Sequence, residues 1–358
     1  MGNSPLKGLF VPSVDLLVSG SAVSASVLRY VEDVVVDDSV ELPSMFAFTV
    51  ATADVAPQQP ATWVDNQDLF AMGKAVEIKM SDGSRLTSLI VGEITALEAE
   101  FSVSRVPLLK VRGYDRGHRL QRGRKTRTFV QKKDSDIASQ IGGEAQLNVQ
   151  ATDSGTTLDY LMQANQTDWD FLTERARHIN YEVVVRDKTM LFRPVANDQS
   201  AVLNLGTEND LLEFNARMSS SGQATGVRVQ GWSAKEKQAS FAVSKTGDEN
   251  SAMGGKSSGA AIAQSAFGDS VELFVDRPFA SQAEADQMAK ARFNAVALQW
   301  ITAEGVCRGR TDVRAGKVIT IDGVGKRFGG QYYVTSAVHR YTTVDGYLTE
   351  FTARRNAS

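Results

Sequence analysis

The residues of this chain best suited to catalysis or metal binding are three histidines and one cysteine: His118, His178, His339 and Cys307. They fall in different segments. His178 closes a helical stretch, where a partly positive imidazole suits the helix dipole. His339 sits in a strand-like run among aromatic residues. No HExxH or Cys/His pairing is present, so a metal centre lacks its usual donors. A single cysteine cannot form an internal disulfide, and it reads as a small buried hydrophobe. The expectation is a protein that is not an enzyme and has no cofactor and no metal.

Two glycine patterns resemble phosphate-binding loops and depart from them. Gly254-Gly255-Lys256-Ser257 ends like a P-loop, but position 250 is Asn where the pattern needs glycine. Neither a preceding strand nor a following helix is expected there. Gly323-Val324-Gly325 lacks the third glycine of GxGxxG and joins two strands, so it reads as a turn.

The charge run from Arg112 to Lys133 is more informative. Arg112, Arg116, Arg119, Arg122, Arg124, Lys125, Arg127, Lys132 and Lys133 stand against Asp115 alone. A nucleic-acid footprint would use such a run on phosphates. Stacking platforms also need aromatic rings, and only Tyr114 and Phe129 occur here. The run reads instead as a solvated face or as a rim that docks an acidic partner, with Arg112, Arg116, Arg119, Arg122 and Arg124 as the candidate interface residues and no specific nucleic acid.

These residues sit on a β-rich frame. The chain has 358 residues, a net charge of −3, 42% hydrophobic and 23% charged residues. That is room for two or three domains with ordinary cores and gives no global attraction for nucleic acid. No apolar run approaches 18 residues, so no membrane insertion is expected. Asp15 interrupts Leu9–Val18 and spoils a signal peptide. Synthesis in the cytoplasm follows as the expectation.

Residues 1–125 read as short strands: Ser24–Asp37, Phe46–Val50, Val76–Met80, Leu89–Leu97 and Val106–Gly113, with a proline-bounded loop at Ala56–Ala61. Residues 126–200 change period. Asp134-Ser135-Asp136 can cap a short helix Ile137–Ile141 that Gly142-Gly143 would stop, and Thr157–Gln163 is a second helical candidate. A clearer helix starts at Thr167, with Trp169, Leu172, Ala176 and Ile179 on one face. Tyr181–Val185 and Met190–Phe192 make a hairpin about Asp187-Lys188. Residues 201–358 return to strands, with Thr246–Gly259 as a mobile loop and an inserted helix at about 281–299 behind a Ser281–Glu284 capping box.

Two segments of the chain align as a candidate internal repeat. Gly73–Ile94 aligns without a gap on Gly316–Ala337, matching Gly73-Lys74 to Gly316-Lys317, Ile78 to Ile321 and Val91 to Val334. Internal repeats decide architecture. The fold class expected is a β-rich α+β protein: two related small β-barrels, at 1–125 and 201–358, flanking a small α/β module at 126–200.

Four stretches then carry a resemblance to a known family. Val111-Arg112-Gly113-Tyr114-Asp115 with His118-Arg119-Leu120 and Arg124, Ser135-Asp136-Ile137, Gln166–Leu172 with Arg175-Ala176, and Arg310–Glu350 resemble the contractile-tail baseplate hubs. These are the phage late-control D and VgrG-like proteins, similar to the T4 phage baseplate hub. Thr167 and Trp169 depart from the family, which often has Glu and a small apolar residue there. The resemblance implies tudor-like barrels and a structural homotrimer joining a hexameric tail tube to a trimeric spike. It also implies that the spike is a separate protein or a missing C-terminal spike domain. Incorporation into a virion or injection particle follows. The alternative from a different class is a carbohydrate- or surface-binding β-module, which would need clustered exposed aromatic residues.

Overall fold

In the computed structural model, which describes residues 13–51, 66–83, 85–103, 105–233, 237–275, 279 and 281–358, the chain opens as a set of antiparallel strands. These are β1 (Ser13–Val18), β2 (Ser21–Ala22), one helical turn α1 (Ala25–Leu28), β3 (Val31–Ser39), β4 (Met45–Ala51), β5 (Ala75–Ser81), β6 (Thr87–Ser102) and β7 (Arg105–Asp115). Period-two burial builds them: Val76, Ile78 and Met80 enter the core while Glu77 and Lys79 face outward. Phe46 and Phe48 stack with ring centres 6.2 Å apart in that core. Parts of the sequence reading at Leu9–Pro12 and the loop Ala56–Ala61 lie outside the described residues.

A 3-10 helix (Arg116–Gln121) leads into β8 (Lys125–Lys133), α2 (Asp134–Glu144), β9 (Asn148–Ala151), β10 (Thr157–Gln166), α3 (Asp168–His178), β11 (Tyr181–Arg186) and β12 (Thr189–Pro194). Thr167 caps α3, its Oγ1 accepting the Asp170 N–H at 3.0 Å. Trp169, Leu172 and Ala176 are buried in the core of this segment; Phe171 and Arg175 join them, and Ile179 is half-buried past the last turn. Two expectations need correction. Thr157–Gln163 is strand, paired antiparallel to β8, because cross-strand bonding outweighs a weak helical period. Gly142-Gly143 do not stop α2; Gly142 lies in its interior, where a Cβ would come within 2.5 Å of Val149. That glycine serves a close approach and not a terminus.

The rest of the chain holds β13 (Asn204–Gly206), β14 (Leu211–Met218), β15 (Gly226–Ser233), β16 (Gln238–Lys245), α4 (Gly259–Phe267), β17 (Val271–Phe274), α5 (Gln282–Ala297), β18 (Ile301–Arg308), β19 (Val318–Asp322), the single turn α6 (Gly325–Phe328), β20 (Gly330–Thr342) and β21 (Gly346–Arg355). The inserted element is more than a helix. β15, β16 and β17 form their own three-stranded sheet, and α5 buries Ala285, Ala289 and Phe293 against it. Thr246–Gly259, expected as a mobile loop, is anchored to the body at two points. Met253 is buried beside Val318 and Tyr333, and the Asn250 N–H donates to Asn294 Oδ1 at 2.7 Å.

The repeat is real in topology. In sequence order β3, β4, β5, β6 and β7 lie side by side as β3-β4-β7-β6-β5; β14, β18, β19, β20 and β21 lie as β14-β18-β21-β20-β19. Both sets read 1-2-5-4-3, antiparallel throughout. Two bulges fall at matching places, at Thr95 and Thr335 on the fourth strands and at Glu32 and Leu212 on the first, while the irregularities at Leu89 and between Glu100 and Ser102 belong to the first set alone. Gly73 and Gly316 both take positive φ, +80° and +76°. The Gly73 N–H donates to Ile94 O at 2.8 Å and the Ile94 N–H to Lys74 O at 2.9 Å. Gly316 and Val334 repeat this, at 2.9 Å to Val334 O and 2.8 Å to Lys317 O. Val334 is therefore the equivalent of Ile94 and not of Val91. From Lys74 to Ile94 is 94 − 74 = 20 residues and from Lys317 to Val334 is 334 − 317 = 17, so the second hairpin is three residues shorter.

The two sets are also one sheet. β20 bonds β21 along its length; its other edge takes β19 over Gly330–Tyr333 and then β3 over Ser336–Thr342. Through β3 and β20 the sets merge into a 13-stranded sheet, and among the described residues the strand pairings close neither set into a separate barrel. The protein is a mostly-β α+β fold.

Candidate assembly interface

β7 and the 3-10 helix place the candidate arginines. Asp115 at the end of β7 caps that helix, with Oδ1 accepting the Gly117 N–H at 2.7 Å and Oδ2 the Ser44 N–H at 2.8 Å. The turn aims Arg116, His118 and Arg119 at one carboxylate, Glu93 on β6. Arg116 Nε lies 3.3 Å from it, Arg119 Nε 3.0 Å and His118 Nε2 3.7 Å. Burial alone would raise the Glu93 pKa, but the hydrogen bond and charge of Arg119, with Arg116, hold it below the usual value. Arg116 is itself buried and also bonds Asp187 between β11 and β12. The run thus ties the first strand set to the following segment.

The remaining basic residues divide. Arg112 pairs with Glu98 at 3.2 Å on the exposed surface of β7 and β6. Lys125 and Arg127 converge on the buried Asp168 at 2.7 and 2.8 Å. Arg124 is exposed and donates to Asn165 O at 2.9 Å, and Arg122 is exposed at the end of the 3-10 helix. The structure brings Arg116 and Arg119 together on Glu93, leaves Arg112 apart on the strand surface, and presents Arg122 and Arg124 outward. Phe129 stacks on Phe171 inside the protein, and Tyr114 is the exposed ring nearby.

No catalytic arrangement forms from the other candidates. His178 Nδ1 lies 3.2 Å from Arg175 Nη1. His339 is fully buried, with Nδ1 2.8 Å from the Tyr347 hydroxyl. Burial and the nearby Arg314 charge lower its pKa to about 3. Cys307 is buried, which pushes its thiol up to about 12. A helix does follow Gly254–Ser257, contrary to the sequence expectation, but the Lys256 and Ser257 N–H groups donate to Ser358 O at 3.1 and 3.2 Å and cannot cradle a phosphate. Among the described residues no group of three or more His, Cys, Asp or Glu could hold a metal. No helix among them is long and apolar enough to cross a membrane.

Sequence reasoning missed the polar seam that joins the strand sets to each other and to the middle segment. Arg314, just ahead of β19, donates from Nε to Asp38 Oδ2 on β3 at 2.6 Å and from Nη2 to Leu89 O on β6 at 2.7 Å. Asp38 is 2% exposed. Burial opposes its charge, and Arg314 more than offsets that, so its pKa stays below normal. Arg186 and Arg193, from β11 and β12, donate to Ala315 O at 3.2 Å and Gly316 O at 3.4 Å, and Tyr333 O–H donates to the buried Glu182. An aspartate pair after Val34-Val35-Val36 was the available signal: a charge at a core position needs a partner.

Solved structures share this architecture. The 43 kDa tail protein of prophage MuSo2 from Shewanella oneidensis has a TM-score of 0.69 over 96% of this chain and 98% of its own, at 11% identity. A tail protein from Neisseria meningitidis MC58 gives 0.69 over 97% of each chain at 14% identity. An E. coli component of the type VI secretion system, described as structurally similar to the T4 bacteriophage tail proteins gp27 and gp5, gives 0.60 over 96% of this chain and 77% of its own at 13% identity. The fold is that of the phage-tail and type VI secretion baseplate class, the hub-like fold the sequence resembles. Within it, residues 10–343 match the family model described as the Alg8 N-terminal domain, and the chain belongs to that family. No curated protein matches the chain.

Proposed function

We propose that this chain is the structural hub of a contractile phage tail or injection system, a homotrimeric adaptor between a hexameric tail tube and a trimeric spike. The observation that carries the reading is the repeat: two strand sets of identical order and matched bulges, fused in one sheet. Three such chains present six related units on one side and three chains on the other, which suits a sixfold tube and a threefold spike. The tail and secretion proteins that share the fold support a role in such a particle.

Each set reads as a small barrel-like unit, since its bulges bend the strands at equivalent points. The domains follow as 1–125, 126–200 and 201–358, with the last carrying the β15–α5 insertion. Arg122 and Arg124 are the exposed part of the rim that would meet an acidic partner; Arg112, Arg116 and Arg119 support it through Glu98 and Glu93. The role needs no catalysis and no cofactor. A carbohydrate- or surface-binding module would gather rings in one groove, and Phe101, Tyr114, Tyr160, Phe241 and Phe267 are exposed on five different elements.

Native mass analysis of the chain with its spike partner tests the proposal. A trimer, or a three-to-three complex with the spike, is the expected result; a stable dimer or tetramer refutes it.

A further inference from the structure

The repeat assigns a specific contact between copies of this chain. β20 and β6 are equivalent fourth strands, and β3 and β14 are equivalent first strands. Within the chain, the far half of β20 bonds β3, with Ser336 opposite Ser39 and Thr342 opposite Asp33. The far half of β6, Ala96–Phe101, lies along β7 on one edge and, among the described residues, pairs with no strand on the other. β14 likewise bonds β18 alone. Among the described residues each chain therefore has one first-to-fourth strand junction made internally and the two halves of a second one without a strand partner. We infer that β6 of one copy pairs antiparallel with β14 of the next; this rests on the ring reading above and gives that ring its contact.

The bulges fix the register. Thr95 matches Thr335, so Ala96–Ser102 corresponds to Ser336–Thr342. Glu32 matches Leu212, so Asp33–Ser39 corresponds to Glu213–Ser219. Carrying the internal pairing across puts Leu97 opposite Met218, Glu98 opposite Arg217, Ala99 opposite Ala216, and Phe101 opposite Phe214 of the neighbouring copy.

Nothing in the transfer required these partners to be compatible, yet they are. On the face corresponding to the buried Ala337, His339, Val34 and Val36, the transferred pairs are all apolar. On the other face, Glu98 meets an arginine. Phe101 is 65% exposed in the single chain, and Glu98, Glu100 and Arg217 are exposed as well. An open strand edge with an outward phenylalanine invites uncontrolled pairing, and a ring contact would cover it. A one-residue slip would exchange the faces and place charge against the apolar row.

The test is disulfide trapping in the full-length chain. Cys307→Ser removes the native thiol; Glu98→Cys and Arg217→Cys are then introduced singly and together. Ladder partners stand about 4.5–5.5 Å apart at Cα, within disulfide reach. On oxidation the double variant should give covalent trimers on denaturing gels, while the single variants and the out-of-register pair Glu98→Cys with Asn215→Cys should not. A trimer by native mass that fails to cross-link overturns the strand pairing and leaves the hub reading intact. Cross-linking that stops at dimers or runs on into long ladders supports the pairing and overturns the trimer. A chain that stays unlinked and monomeric at high concentration, even with its spike partner, overturns both. In a second arm, Glu98→Arg or Arg217→Glu alone should weaken assembly severalfold, and the two together should restore it.

Discussion

Asp38 on β3 and Arg314 ahead of β19 are 276 residues apart in sequence and meet at 2.6 Å in the interior. Their contact closes over the β3–β20 junction, where the two strand sets become one sheet. Both side chains are largely shielded from water, 2% and 17% exposed. Deleting one partner of a buried pair strands the other charge, so Asp38→Ala or Arg314→Ala should each cost about 3–5 kcal/mol. Chemical denaturation of the two single variants and the double variant checks this. The double should lose much less than the sum, because both changes remove one contact.

Trp169 anchors α3 and is 3% exposed among Leu120, Phe171 and Val185. Trp169→Ala should cost roughly 3–5 kcal/mol, the usual range for emptying a large aromatic site. Urea unfolding would show it, and a change within error would mean the site collapses around the gap.

Two buried groups oppose each other in pH dependence. Burial raises Asp115 to about 7 from 3.8, so between those values the folded chain holds a proton the unfolded chain has released. Its contribution to stability is present at low pH and is lost as pH rises towards 7. Burial lowers His339 to about 3 from 6.5, so its contribution is present above pH 6.5 and is lost as pH falls towards 3. Thermal melts from pH 4 to 6.5 should therefore tilt upward with pH in Asp115→Asn and downward in His339→Gln, each relative to the unsubstituted chain. Unchanged slopes in both would contradict these pKa directions.

Much of this body was legible in the sequence, and the failures share a cause. Thr167, Trp169, Leu172 and Ala176 set α3 by local rules alone, as did the Ser281 cap of α5. The repeat was visible through Gly73 and Gly316, whose positive φ only glycine takes without strain. Its register was not, because an ungapped comparison cannot see a hairpin shortened by three residues. Thr157–Gln166 became strand through its partner β8, and Gly142 is excused from ending α2 by Met190 and Val149 packed on it. In the basic run, charge was readable from composition, but which arginines face outward depended on Glu93, which the β6–β7 pairing brings beside them.

Cys307 faces Leu211 across the β14–β18 ladder and is fully buried. With its thiol also pushed up to about 12, it should resist maleimide and disulfide reagents in the native state. Labelling followed by mass spectrometry should proceed only with unfolding. Rapid labelling of the native chain would mean the β14 edge opens readily.

Arg122 and Arg124 are the exposed pair of the basic run. Arg122→Glu with Arg124→Glu should leave the melting temperature nearly unchanged and weaken docking to an acidic tube or hub partner. The loss should shrink as salt is raised, since an exposed contact is screened. Binding measured at two ionic strengths checks this.

The insertion from β15 to α5 falls between the first and second strands of the second set; in the first set the same link is the short stretch 40–44. Any ring of these chains is therefore ornamented at alternate positions, smooth and studded in turn. A partner that touches only the shared strands would find every unit interchangeable, while one that reaches the studs would find just half of them. In such a ring a single coding sequence would carry two counting systems, and the side of the annulus from which a neighbour approached would decide which one it obeyed.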